Sequence, residues 1–190
     1  MMISNARLPS GQLVDLAIDD GRIASVEPAG AGSSAAGEVH DLNGWLLLPA
    51  LAEPHAHLDK ALTADLVPNP AGDLMGAIDA WIEAATTGVI TYDDTVDRAA
   101  AALETLLVRG VTAVRSHVNV GAGYGAAQIR AVHEARARLD GLMSVQTVAL
   151  VHSPLTGDGE GAANRAALDE AVAAGVDLIG GCPHLEPDAL

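Results

Sequence analysis

Two histidines separated by a single residue, His55 and His57, carry the clearest chemistry in this sequence. In an extended strand, residues two apart share a face, so the pair points one way and Ala56 the other. Two neutral imidazoles one pleat apart can hold one divalent metal, Zn or Fe, when the element beneath them is rigid. Asp59 follows on that side as a carboxylate behind the ligands or toward a substrate. A lone HxH reads more readily as one satisfied core histidine beside an exposed strand end, so the other histidines must decide.

There are seven histidines in all. His40 falls in the leading segment and His133 on a helical stretch. The other five, His55, His57, His117, His152 and His184, fall at or near the C-terminal ends of expected strands. That is the face on which barrel enzymes assemble their sites. Arg115, His117 and Asn119 alternate along one strand and add a polar stripe to it.

The elements that must position these residues follow from the pattern. Residues 3–8, 13–18 and 22–26 alternate as short strands, with Asp20-Gly21 as a hairpin signal between the last two. Residues 29–37 form a small-residue loop, and a short strand at 39–42 and an Asn43-Gly44 turn precede the apolar run Leu46–Leu48. That run reads as the start of a buried strand ending in PHAHLDK. From Pro49 onward strands alternate with helices: helices over 74–85, 96–109, 126–139 and 162–174, strands over 111–120, 143–151 and 176–182. Thr91 to Asp94 read as a cap, with Asp93 or Asp94 as the capping residue. Gly110 and Gly175 close two of the helices. Strands recurring at one βα unit imply a parallel sheet with right-handed crossovers. The expected division is a small β unit over 1–48 and four βα units over 49–190.

Composition narrows the function classes. Ten Lys and Arg stand against 25 Asp and Glu, a formal net charge of -15, and there is no Phe and only two Trp and two Tyr. A polyanion finds no basic patch and nucleobases no aromatic platform, so no nucleic-acid partner is expected. No apolar run reaches membrane length, and the opening MMISNARLPSGQ lacks the features of a secretory signal, so a cytoplasmic address is expected. Cys182, the one cysteine, reads as a small buried thiol in the last strand. GAGYG at 121–125 lacks the GxGxxG spacing and reads as a flexible loop. His133-Glu134 has Ala at 137 where a metalloprotease helix needs His, and reads as surface. Lys60 either approaches the site or snorkels from its loop.

With EPHAHLDK, RSHVNV, VQTVAL, GGCPHLEP and the DGRIASV turn in hand, the chain resembles the metal-dependent amidohydrolase superfamily, and within it the cytosine deaminase branch. The resemblance implies an α/β fold: the first half of a (β/α)8 TIM-like barrel preceded by a small β unit that is part of a β-sandwich. It implies one divalent metal, Zn or Fe, on His55 and His57, with His117, His152, His184 and Asp59 facing a small heterocyclic substrate. In that family the metal lowers the pKa of a bound water, the hydroxide attacks a ring carbon, and a later carboxylate shuttles the proton as ammonia leaves. Two positions depart from the branch. His152 stands where cytosine-specific enzymes have a glutamine, and Asn119 replaces an acid. The family's remaining ligands and its general acid/base belong to later strands, so they are expected beyond residue 190. The expectation is therefore a chain that needs its C-terminal half or pairs as a homo-oligomer; the competing expectation is a non-catalytic half-barrel that folds by pairing.

Overall fold

The computed structural model describes residues 1–31 and 37–186 and divides into two compact units, Met1–Ala50 and Leu51–Leu190. Positions 32–36 of the expected small-residue loop, and Pro187 of the GGCPHLEP motif, lie outside the described residues.

The first unit is a four-stranded sheet of β1 (Met2–Arg7), β2 (Leu13–Asp19), β3 (Arg22–Pro28) and β4 (Val39–Asp41), in the order β3-β2-β1-β4. β1 and β2 pair antiparallel, as do β2 and β3, whereas β4 runs parallel to β1. The hairpin between β2 and β3 turns at Asp20 and Gly21, with φ of 47° and 69°. Two consecutive positive φ values define the two-residue turn whose twist matches the strands, and glycine takes the second without a Cβ penalty. Ala6, Val14 and Leu16 form the buried core, with Ile3, Leu8, Leu42 and Leu47 packed against it.

The second unit carries a parallel sheet of β5 (Leu51–Ala56), β6 (Val111–Val120), β7 (Ser144–Val151) and β8 (Leu178–Gly181), in sequential order. Between the strands run helices α1 (Leu74–Thr87), α2 (Tyr92–Leu107), α3 (Ala127–Ala137) and α4 (Glu160–Ala173). The sequential order lacks the reversal that marks a doubly wound sheet. In the register, Val114, Ser116, Val118 and Val120 of β6 lie beside Val145, Thr147, Ala149 and Val151 of β7. All eight are buried, and the apolar ones Val114, Val118, Val120, Val145 and Ala149 pack with residues of α2 and α3. The other face of β6 carries Arg115, His117 and Asn119.

α2 starts where Thr91 accepts a hydrogen bond from Asp94 N–H at 3.2 Å, with Asp93 and Asp94 in the first turn. Thr91 is therefore the capping residue, and the two acids favour the positive end of the helix dipole. Its buried stripe, Val96, Ala99, Ala100 and Leu103, has the three-to-four spacing of an amphipathic helix. Full burial of Leu103 contributes about 1.5–3 kcal/mol. No helix of the described residues is long and apolar enough to cross a membrane.

Several expectations are corrected. The strand bearing the histidines starts at Leu51 rather than in the apolar run, because Leu46 and Leu47 belong to the first unit: Leu46 bridges to Arg7, and Leu47 N–H donates to Arg7 O at 2.8 Å. Nor is that strand buried; it is one of the sheet's two edge strands, with Leu51 53% exposed. β8 is shorter than 176–182, and Cys182 follows it, half-buried, ahead of a 3-10 turn at Pro183–Leu185. His133 is not a surface residue: its Nε2 lies 2.9 Å from Thr147 Oγ1, between α3 and β7.

Candidate metal site

β5 ends one residue after His55, and the chain then turns through His57, Leu58, Asp59 and Lys60. The turn is anchored by Leu58, whose N–H donates to Ser116 Oγ at 3.0 Å and whose side chain sits in the core. Ala56 packs against that same core. The His55 and His57 rings lie 5.3 Å apart, and His117 from β6 joins them, stacked on His55 at 4.2 Å and tilted to His57 at 5.8 Å. These three predicted residues are brought together.

Burial, aided by the Lys60 charge, holds His57 below its usual pKa, and burial with the neighbouring His55 does the same to His117. Both are thus neutral near pH 7, the form that binds metals. His57 Nδ1 lies 2.8 Å from the His117 carbonyl oxygen, which can only accept, so Nδ1 carries the proton and the Nε2 lone pair is left over. A backbone carbonyl holding one ring nitrogen is how ligand histidines are oriented. His117 Nδ1 is buried without a hydrogen-bond partner. Among the described residues no group of three or more His, Cys, Asp or Glu stands ready to hold an ion by itself. The donor set therefore fits a metal as part of a larger ligand set. A groove of about 310 Å³ is lined by Glu53, His55, His57, Leu62, Ala102 and Leu106, among others. Glu53 Oε1 accepts from His55 N–H at 3.0 Å.

Beside this cluster runs a chain of polar contacts. Asp59 is fully buried; its Oδ2 accepts from Lys60 Nζ and from Asn119 N–H, each at 3.0 Å, while Oδ1 has no partner. Lys60 Nζ also donates to Asn119 Oδ1 at 2.7 Å and sits 4.8 Å from the Trp81 ring centre. Asn119 Nδ2 lies 3.0 Å from His152 Nε2, and the Tyr124 hydroxyl lies 3.1 Å from that same nitrogen. Burial, reinforced by Lys60, lowers the His152 pKa, and burial raises that of Tyr124. The Lys60 ammonium, 3.0 Å from Asp59 Oδ2, offsets the charge of that buried carboxylate. His184 sits exposed on the 3-10 turn, and no hydrogen bond or ring contact of the described residues joins it to the other four strand-end histidines.

No family model matches the chain. It is 26% identical over 200 residues to the pterin deaminase of Rhizobium rhizogenes, covering 98% of this chain and 45% of that protein. The crystal structure of 5-methylcytosine deaminase from Klebsiella pneumoniae liganded with 5-fluorocytosine superposes on 100% of the chain with a TM-score of 0.84 and 31% identity, and 45% of that chain is covered. The amidohydrolase superfamily fits this chain. The match is to part of such enzymes, since the chain spans 45% of the length of these relatives. A further amidohydrolase structure, N-isopropylammelide isopropylaminohydrolase from Burkholderia multivorans, matches at 29% identity and a TM-score of 0.78, over 97% of this chain and 45% of that one. The atrazine chlorohydrolase of Arthrobacter aurescens, in a structure complexed with zinc, shares the fold at 20% identity and a TM-score of 0.58, over 96% of this chain and 40% of that one. The mixed α/β architecture, with its parallel sheet and helices, is consistent with part of an amidohydrolase barrel.

Within this cluster, sequence reasoning missed Tyr124 and Trp81 and left Lys60 undecided. Tyr124 sits in the GAGYG segment, whose Gly121 and Gly125 pair as a closed turn, with hydrogen bonds of 2.8 and 3.4 Å, rather than a loose loop. A five-residue turn that opens and closes on glycine around a single tyrosine was the available signal. Trp81 on α1 had none, because its ring meets Tyr124, at 5.5 Å, only through tertiary packing.

Proposed function

We propose that this chain is the leading β unit and first four βα units of a cytosine-deaminase-like amidohydrolase, acting on a C–N bond of a small heterocycle. The observation that carries this is the convergence of His55, His57 and His117 where β5 ends, with the pKa values of His57 and His117 lowered chiefly by burial and His57 Nε2 free. His55 and His57 would hold one Zn or Fe, which supplies the Lewis acid that makes water nucleophilic. Asp59, His117, His152 and His184 belong to the substrate side of this reading, Asp59 by holding Lys60 and the Asn119 backbone. The general acid/base and the remaining ligands come from the part of the enzyme corresponding to the rest of the relatives' length. Heterocyclic substrates enter this reading from the names of the relatives, which include a pterin and a methylcytosine deaminase.

A second reading, pairing with another copy, is favoured by one observation: the outermost strands expose Leu51, Leu178 and Ile179, the last at 61%. Such edges invite a partner strand. Ammonia release from cytosine, 5-methylcytosine and a pterin, assayed with Zn or Fe and with the remaining ligands and acid/base supplied by the rest of the enzyme, separates the two. Turnover that disappears on chelation supports the enzyme. A metal-free, inactive dimer supports the second reading.

A further inference from the structure

The polar chain from Asp59 to Tyr124 has a direction that its chemistry dictates. An ammonium only donates, so the Asn119 amide oxygen, 2.7 Å from Lys60 Nζ, must accept from it. The amide orientation is thereby fixed, and the NH2 group faces His152 Nε2 at 3.0 Å. An amide nitrogen also only donates, so Nε2 must be the acceptor and the ring proton of a neutral His152 must sit on Nδ1. Tyr124 OH, 3.1 Å from Nε2, can donate to the same lone pair. Lys60 cannot swing away cheaply: fully buried Asp59 holds it on one side and Trp81 lies beneath it. His152 Nδ1 is used by no hydrogen bond of the described residues and is not among the buried atoms lacking a partner.

We propose that Asn119 is a positioning residue that locks His152 as the Nδ1–H tautomer, so that this ring offers a ligand a donor and no acceptor. The ligand class that follows is a heterocycle presenting an oxo oxygen or an unprotonated ring nitrogen at that point. A glutamine there would offer both donor and acceptor; with the acceptor nitrogen of His152 engaged by Asn119, an amino group of the ligand finds nothing to accept its proton. An aspartate at 119 would reverse the logic, since a carboxylate only accepts and would draw a proton onto Nε2. The ligand half of this proposal rests on the heterocycle reading above, whereas the tautomer stands on the hydrogen bonds alone.

The test is a long-range proton–nitrogen correlation spectrum of the ¹⁵N-histidine-labelled protein at pH 8, with His152 assigned through His152→Gln. The wild type is expected to show a pyrrole-type Nδ1 and a pyridine-type Nε2, and Asn119→Asp to turn Nε2 into the pyrrole type. Lys60→Met, which frees the amide to flip, is expected to give a mixture. An Nε2–H ring in the wild type overturns the proposal even if neither variant folds, and an unchanged ring in a folded Asn119→Asp overturns it as well. Uracil, an oxo-edged probe, is expected to shift the His152 Nδ1 signal and to bind Asn119→Asp at least about tenfold more weakly; equal binding or none overturns the ligand half. Absence of heterocycle turnover with the wild-type tautomer intact would instead remove the enzymatic reading and leave the role of Asn119 standing.

Discussion

The two halves of the site are built on opposite principles. In the imidazole cluster, rings lie 4.2 to 5.8 Å apart, and the contact of His57 Nδ1 with His117 O leaves the Nε2 lone pair unused. In the polar chain from Asp59 to Tyr124, each contact fixes the direction of the next, and the charge of Asp59 is matched by that of Lys60. A set of acceptors with spare lone pairs is completed by something that binds them. A series of donors and acceptors in which each contact orients the next holds its members still, although Asp59 Oδ1 is left without a partner. The difference assigns metal capture to one and the orientation of a ligand-facing ring, His152, to the other.

Breaking the polar chain at its buried end has the largest expected effect on folding. Asp59→Ala leaves the Lys60 ammonium without its carboxylate, and loss of one partner of a buried pair costs about 3–5 kcal/mol. The Lys60 side chain is 26% exposed, so about 3 kcal/mol is expected, measured by urea denaturation. A loss under about 1 kcal/mol would place this pair among ordinary surface ion pairs.

Acid should act on both halves together. His57, His117 and His152, and His133 between α3 and β7, all have pKa values lowered from 6.5, chiefly by burial. The folded chain therefore binds fewer protons than the unfolded chain below that value, and stability rises with pH there. The contribution is fully present above about pH 6.5 and is lost as pH falls from there through the lowered folded values. Asp41 and Glu186, whose pKa values are also lowered, start from 3.8 and 4.5, so the interval from pH 6.5 to 5 reports the histidines. Melting temperature should fall across it; a flat profile would mean that the rings are solvated.

The smallest effect is expected at the chain's far end. Tyr124→Phe removes one hydrogen bond to His152 while Asn119 still holds Nε2, so a cost of about 1 kcal/mol is expected. The His152 tautomer should not change. A tautomer change in this variant would transfer the locking role from Asn119 to Tyr124.

How much of this was legible in the sequence differs between the same two regions. The His55–His57 spacing and the β-branched run around His117 are local signals, and the parallel β-α alternation follows from Gly-closed helices and strand periodicity. The polar chain is not local: Lys60 meets Asn119 across 59 residues, and Asn119 meets His152 across 33. Such pairings depend on strand register, which single-strand patterns leave open. The apolar run at 46–48 misled for the same reason, since hydrophobicity marks burial without naming which of two cores receives it.

Metal content most directly tests the claim that the histidine cluster is a ligand set. With the remaining ligands supplied by the rest of the enzyme, the protein, purified without metal-affinity resin and dialysed against a mild chelator, should retain close to one Zn or Fe per chain by elemental analysis, and His57→Ala should lose it. Loss of a direct ligand should exceed the about 10–100-fold drop in affinity typical of a residue that only supports one. No metal in the wild type, or equal metal in wild type and His57→Ala, would contradict the account.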